Sequence, residues 1–158
     1  MDNAYSPIKI YLAAPFEERE HFSPVTSVER VVEGYGVGGM LALKGHFEDR
    51  GVIVTSTWLT AAEGNGTNMA TIASKFHECR CRAIKDMQDI DAADYFIKYK
   101  PKELHRKPTT GGHTWETGYA HAKGKPIIIY GDRESVFDYL PGVEVVTNLE
   151  ALFNRLHV

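Results

Sequence analysis

At 158 residues, 43% of them hydrophobic and 25% charged, the chain has the make-up of one globular domain, placed here over residues 1–158. A formal charge of −3 and a pI near 6.2 exclude the basic surface that a nucleic-acid polymer needs, while leaving a nucleotide ligand open. No apolar run nears the roughly 20 residues that span a bilayer, and the first residues lack a secretory pattern. Two cysteines, Cys79 and Cys81, cannot build a disulfide framework, so no membrane partner and a cytoplasmic location are expected.

Ile8–Ala14 is apolar enough to be buried on both faces, as a central parallel strand is. Pro15 and Phe16 end it, and residues 17–26 form a polar loop with a turn at Ser23-Pro24. Val28–Val32 can start a helix before the glycines at 34, 36, 38 and 39, which read as a loop over the site rather than a phosphate-binding loop, since the Lys-Ser/Thr ending is missing. Met40–Arg50 is a helix stopped by Gly51, and Val52–Thr57 a β-branched strand. Trp58 follows at the strand's carboxyl end, where it reads equally as a platform for a planar base or as packing.

After the loop Glu63–Asn68, a long helix spans Met69–Ala92, with Ala73, Phe76, Arg80, Ala83, Met87 and Ile90 as its inward stripe. Asp86 borders that stripe, whereas Asp89 is read as pointing elsewhere; a carboxylate at such a border must be solvated, paired or functional. His77, Cys79 and Cys81 at spacings of two fall on different helix faces, so no metal is expected. Tyr95–Tyr99 is the next strand, followed by the basic loop Pro101–Pro108.

The stretch from Thr110 to Gly131 carries the chemistry. Gly111 and Gly112 permit close backbone approach, Thr114 caps a helix running to Lys123, Gly124 stops it, and Ile127–Tyr130 is a strand. Glu116 then falls in the first helical turn, where unpaired N–H groups favour an ionised carboxylate, a plausible nucleophile. A short helix in residues 132–140, a strand in 142–146 and a helix Leu149–Leu156 capped by Asn148 complete the chain. This alternation predicts a three-layer α/β sandwich with a central, mostly parallel, Rossmann- or flavodoxin-like sheet.

Three blocks, I-Y-L-A-A-P-F at 10–16, D-M-Q-D-I-D-A-A-D at 86–94, and G-H-T-W-E-T-G-Y-A at 112–120 followed by G-K-P-I at 124–127, stand in the order and spacing of a known family. On them the chain resembles the nucleoside 2-deoxyribosyltransferases and the related nucleoside 5′-monophosphate N-glycosidases. The resemblance implies that Glu116 is the nucleophile that holds the sugar as a glycosyl ester. It makes Asp86 the acid assisting departure of the base, and Tyr11 the hydroxyl that orients the nucleophile. Ala13, Phe16, Arg19, Trp58, Thr110 and Gly112 fall where it implies substrate binding. The implied partners are a small nucleoside or nucleotide and a free nucleobase, with no cofactor and no metal. Association as a dimer or larger homo-oligomer is implied too, with residues 132–142 given to a neighbour's site.

The chain also departs from the pattern. Six residues before the nucleophile, typical transferases carry an Asp that holds the sugar 5′-hydroxyl; here Thr110 stands there, which suits a phosphate better and can form an anion nest with Thr109 and Gly111. The monophosphate hydrolases' Ser and Arg in the first loop are replaced by Pro15 and Glu17, leaving Arg19 as the nearby substitute. Transfer of the sugar to another base is the preferred reading, hydrolysis of a nucleoside 5′-monophosphate the alternative. A non-catalytic nucleotide-binding module and a signalling NAD glycohydrolase are further classes. The binding module would not need Glu116, Asp86 and Tyr11 together, and the glycohydrolase's other motifs are not evident.

Overall fold

The computed structural model describes residues 6–14, 37–61, 76–100 and 112–158. Five strands, β1 (Lys9–Ala13), β2 (Ile53–Val54), β3 (Tyr95–Lys100), β4 (Ile127–Gly131) and β5 (Val143–Val146), form one sheet in the order β2-β1-β3-β4-β5. Every neighbouring pair is parallel. The expected α/β sandwich is therefore the observed fold. The chain winds outward from β1 in one direction to β2 and in the other through β3, so β1 and β3 flank the point of reversal. In open α/β sheets ligands bind beyond the carboxyl ends of the strands at that point.

Ile10, Tyr11, Leu12 and Ala13 are each 0% exposed, as expected for a strand covered on both faces. Side chains alternate. Ile10, Leu12, Ile97, Tyr99, Ile128 and Tyr130 pack under α1 (Val37–Glu48) and α5 (Leu149–Leu156), where Met40, Leu43, Phe47, Leu152, Phe153 and Leu156 are buried. Tyr11, Ala13, Phe96, Ile127 and Ile129 face the other way with Ile90, Ala93 and Ala120, from the ends of α3 (Phe76–Ala92) and α4 (Gly112–Ala122). Glu116 and Asp86 stand on these last two helices.

Several elements differ from expectation. Residues 37–39 form the first turn of α1 and not a loop, while residues 34 and 36, with the helix expected at 28–32, lie outside the described residues. Each helical glycine costs about 1 kcal/mol, and burying Met40, Leu43 and Phe47 on the sheet more than offsets that. Strand β2 ends at Val54, yet Thr55 N–H still donates to Ile10 O and Ser56 Oγ bonds both N–H and C=O of Leu12, so a side chain continues the ladder. At Thr57 the chain turns into α2 (Thr57–Ala61). Within α3, Arg80 and Ala83 are exposed, and among the side chains described from residue 80 on only Asp89 and Ile90 are buried; residues 69–75, with Ala73, and the side chain of Phe76 are outside the described residues. The expected helix in 132–140 is a 3-10 turn, Val136–Tyr139.

The end of α4 and the start of α5 follow the sequence signals. Gly124 sits at φ +70°, its N–H donates to His121 O and Lys125 N–H to Ala120 O, a Schellman ending for α4 that delivers the chain to β4. Asn148 Oδ1 accepts from Ala151 N–H at 2.8 Å and opens α5. No helix among the described residues is long and apolar enough to cross a membrane.

Candidate active site

Tyr11 is held on β1 by its strand and by its ring, which stacks on Phe96 of the neighbouring β3 with centroids 5.5 Å apart. Its hydroxyl reaches beyond the sheet toward α4 and donates to Glu116 Oε1 at 3.1 Å. Burial, then the charges of Glu116 and Asp86, push the Tyr11 phenol well above its ordinary value, so it remains a donor across the neutral range.

Glu116 does not stand in the first helical turn. Helix α4 begins at Gly112, two residues before the expected cap at Thr114, so Glu116 is the fifth helical residue and no acid occupies the first turn. The positive end of the helix falls off within about one turn and offers it little. Burial dominates instead, and the Asp86 carboxylate adds to it; together they push Glu116 up to about 8 against the Tyr11 hydrogen bond, which pulls it down. The helix terminus is thus not what governs this carboxyl; burial and a neighbouring carboxylate act on it in the opposite direction. Asp86, on α3 and partly buried, is the neighbour whose charge adds to the effect of burial.

Asp89 corrects a second expectation. It points into the protein, 4% exposed, and its Oδ2 accepts from Thr57 N–H at 2.9 Å and Thr57 Oγ1 at 2.6 Å, while Oδ1 pairs with Lys85 Nζ at 2.7 Å. It therefore caps α2 and ties that helix to α3. Trp58, the next residue of α2, donates its indole N–H to Leu12 O at 2.8 Å and packs against both cores. This is the packing role; the indole remains partly exposed beside the carboxyl end of β1.

A cluster that sequence reading missed lies beside this site. Lys98 and Lys100 project from the same face of β3 as Phe96, yet are 0% and 1% exposed. Ala13 pairs in register with Lys98. Lys98 Nζ donates to both Asp138 oxygens at 2.8 and 2.9 Å and lies 3.2 Å from Glu134 Oε1; Lys100 pairs with Glu134 Oε2, and His113 of α4 with Glu134 Oε1. Asp138 Oδ2 also accepts the backbone N–H groups of Glu134 and Ser135 at 2.8 and 3.0 Å. Burial opposes ionisation of Glu134, but His113, Lys100 and Lys98 outweigh it and hold its carboxyl well below the usual carboxylate range. Asp138 is held low in the same way, burial being overcome by the Glu134 N–H and Lys98. The faint signal is the alternation F-I-K-Y-K, which sets two lysines on the same strand face as Phe96.

Tyr11, Asp86 and Glu116 are brought together, with Ala13 at the carboxyl end of β1 and Gly112, exposed, as the first residue of α4. Phe16, Arg19 and Thr110, with Pro15, Glu17, Thr109 and Gly111, lie outside the described residues, as do the loops 63–68 and 101–108. Cys81 is exposed, and among the described residues no three His, Cys, Asp or Glu side chains group as metal ligands.

No protein-family model matches the chain, and no curated protein matches it. Among solved structures the fold is similar to that of the Clostridium botulinum CMP N-glycosidase BcmB, with a TM-score of 0.51 and 16% identity over 94% of this chain and 98% of that one.

Proposed function

We propose that the protein cleaves the N-glycosidic bond of a (deoxy)nucleoside or nucleotide through a glycosyl ester on Glu116, and passes the sugar to another base. The observation that carries this reading is the convergence of Glu116, Tyr11 and Asp86, from three separate elements, on one face of the sheet beside the strands that flank its point of reversal. Retaining glycosyl transfer needs two carboxyl groups with one proton between them, one to attack and one to protonate the leaving group. With Glu116 raised to about 8 beside Asp86, the pair holds that proton in neutral solution. The proton belongs to the pair, and the reactive arrangement has it on Asp86.

In the first step Glu116 Oε forms a bond to the anomeric carbon as the glycosidic C–N bond breaks. The electron pair leaves with the base nitrogen, which takes the proton from Asp86. In the second, Asp86 removes a proton from the incoming base, whose nitrogen attacks the same carbon and releases Glu116. Tyr11 donates to Glu116 throughout, orienting the carboxylate. Covalent capture divides one hard displacement into two easier ones. No cofactor or metal enters these steps. Ala13, Phe16, Arg19, Trp58, Thr110 and Gly112 are proposed to contact substrate, Trp58 by stacking on the base. The exposed Val136, Phe137 and Tyr139 support the proposed homo-oligomer, with residues 132–142 at the contact.

A second reading, hydrolysis of a nucleoside 5′-monophosphate to free base and sugar 5-phosphate, is favoured by the fold shared with the CMP N-glycosidase and by Thr110. Incubation with a deoxynucleoside or its 5′-monophosphate, with and without a second free base, separates the two. A new nucleoside marks transfer; free sugar or sugar phosphate in both mixtures marks hydrolysis. Glu116→Ala should lower turnover by on the order of 10⁴-fold and abolish covalent labelling without unfolding the chain. Retained turnover in that variant would refute the mechanism.

A further inference from the structure

The charge cluster on β3 is not used by the chemistry above, and burying four titratable groups around the half-buried Glu134 is costly: well-packed apolar side chains of similar volume often stabilise a fold as well or better. What such a cluster supplies, and apolar packing does not, is fixed direction. Glu134 is the residue on which the directions converge. Lys98 and Lys100 reach it from the strand, and His113 reaches it from the helix. The backbone that carries Glu134 is itself held, because Asp138 accepts the N–H groups of Glu134 and Ser135 while paired to Lys98.

His113 is three residues before Glu116, within the same helical turn, and is 3% exposed. Its carbonyl accepts the Thr117 hydroxyl at 2.7 Å, so side chain and backbone are both tied at this point. Farther along α4, a Cβ added at Gly118 would meet the Phe137 ring at 3.7 Å, which puts the segment 134–138 against the helix on either side of Glu116. We propose that Glu134 is a positioning residue: tied to Lys98 and Lys100, it anchors His113 and thereby fixes where Glu116 stands against Tyr11 and Asp86. The proposal rests on Glu116 being the nucleophile.

The test compares His113→Ala with His113→Gln, whose amide nitrogen can still donate to Glu134. Two readouts are taken: steady-state kinetics on a deoxynucleoside or 5′-monophosphate that the parent protein cleaves, and a carboxyl-carbon NMR titration of Glu116, identified by its loss in Glu116→Gln. In His113→Ala a cooperative melt and a KM within about threefold should persist while kcat falls roughly 10- to 100-fold, the scale of a small misplacement of a reacting group. The Glu116 midpoint should move down from about 8 as water reaches the displaced carboxyl. His113→Gln should restore most of both. A His113→Ala protein with unchanged kcat and midpoint overturns the proposal, as does a loss that Gln does not recover. Should His113→Ala not fold, Glu134→Gln takes its place, and failure of both to fold assigns the cluster to stability alone. Full turnover in Glu116→Ala would refute the nucleophile itself. An inactive Glu116→Ala beside an unimpaired His113→Ala refutes only the positioning. If no substrate is turned over, the NMR midpoint still decides it.

Discussion

Two groups of carboxylates share one face of the sheet, and they are tuned in opposite directions. At Glu116 a half-buried carboxyl faces another carboxylate and a phenol, with burial and like charge raising it to about 8. Along β3, Glu134 and Asp138 are met by two buried lysines and His113, and both are held low. Burial disfavours the charged carboxylate in both places; the neighbours decide the outcome. Among the described residues, the carboxyl that faces a carboxylate is raised and those that face cations are lowered.

Removing a cation from the second group, the strut along β3, should give the largest change in stability. Lys98→Met keeps the length and apolar stem of the side chain but leaves Asp138 without its buried counter-charge. We expect a loss of about 3–5 kcal/mol, read as a lower denaturant midpoint at unchanged slope. A shift within error would mean that the backbone N–H groups alone satisfy Asp138 and that the two regions differ less than their geometry implies.

Glu116→Gln sharpens the other half of the comparison through the pH dependence of stability. The folded-state pKa is raised, so between the unfolded value near 4.5 and about 8 the folded chain binds more protons than the unfolded one. In that window Glu116 costs the parent protein stability as pH rises, by at most about 1.4 kcal/mol per pH unit. Glu116→Gln should therefore gain on the parent from pH 5 to about 8 and run parallel to it beyond. The strut works with the opposite sign. The depressed Glu134 and Asp138 contribute stability above ordinary carboxylate values, and it is lost as pH falls through their folded values. Urea titrations at several pH values would display both limbs.

The two groups also differ in how far the sequence announces them. The strand bearing Tyr11, the stop at Gly124 and the cap at Asn148 are local events, set by an unbroken apolar run, a residue that tolerates φ +70° and a side chain that bonds three residues ahead. They read correctly. Asp89 and Lys98 depend on partners 32 and 40 residues away, and a lone polar residue on a covered face gives no hint of what satisfies it. The start of α4 was misplaced because Thr114 is a good cap, while in the fold Gly112 and His113 are already helical and His113 is anchored from Glu134. That error of two residues carried the mistaken view that a helix terminus ionises Glu116. The family resemblance groups Glu116, Asp86 and Tyr11, but says nothing of their proton, which depends on burial and on distances across the sheet.

Tyr11→Phe should have a smaller effect than either change above, acting on the contact that, among the described residues, opposes the rise in Glu116. Losing a hydrogen bond to a charged group is worth about 1.5–3 kcal/mol, so turnover should fall roughly 10- to 100-fold. The Glu116 midpoint should climb above about 8, because the variant removes the influence that lowers it and leaves burial and Asp86 in place. A downward move would mean that water had replaced the phenol and that packing by Tyr11, rather than its hydroxyl, governs the carboxyl.

The smallest effect is expected at an ion pair as close as those of the strut but exposed to water. Arg155 Nε and a terminal guanidinium nitrogen donate to the two Glu144 oxygens, each at 2.6 Å, but the two side chains are 40% and 45% exposed. Arg155 holds the Glu144 carboxyl below its usual value, so the sign is that of Glu134: any stabilisation is present above that range and lost as the carboxylate is protonated. Water already solvates both charges and salt screens them, so little is gained by pairing. Glu144→Gln should melt with the parent protein at neutral pH. If it instead lost as much as Lys98→Met, pairing geometry rather than burial would set the strength of these contacts. The contrast between the Glu116 site and the buried strut would then need another cause.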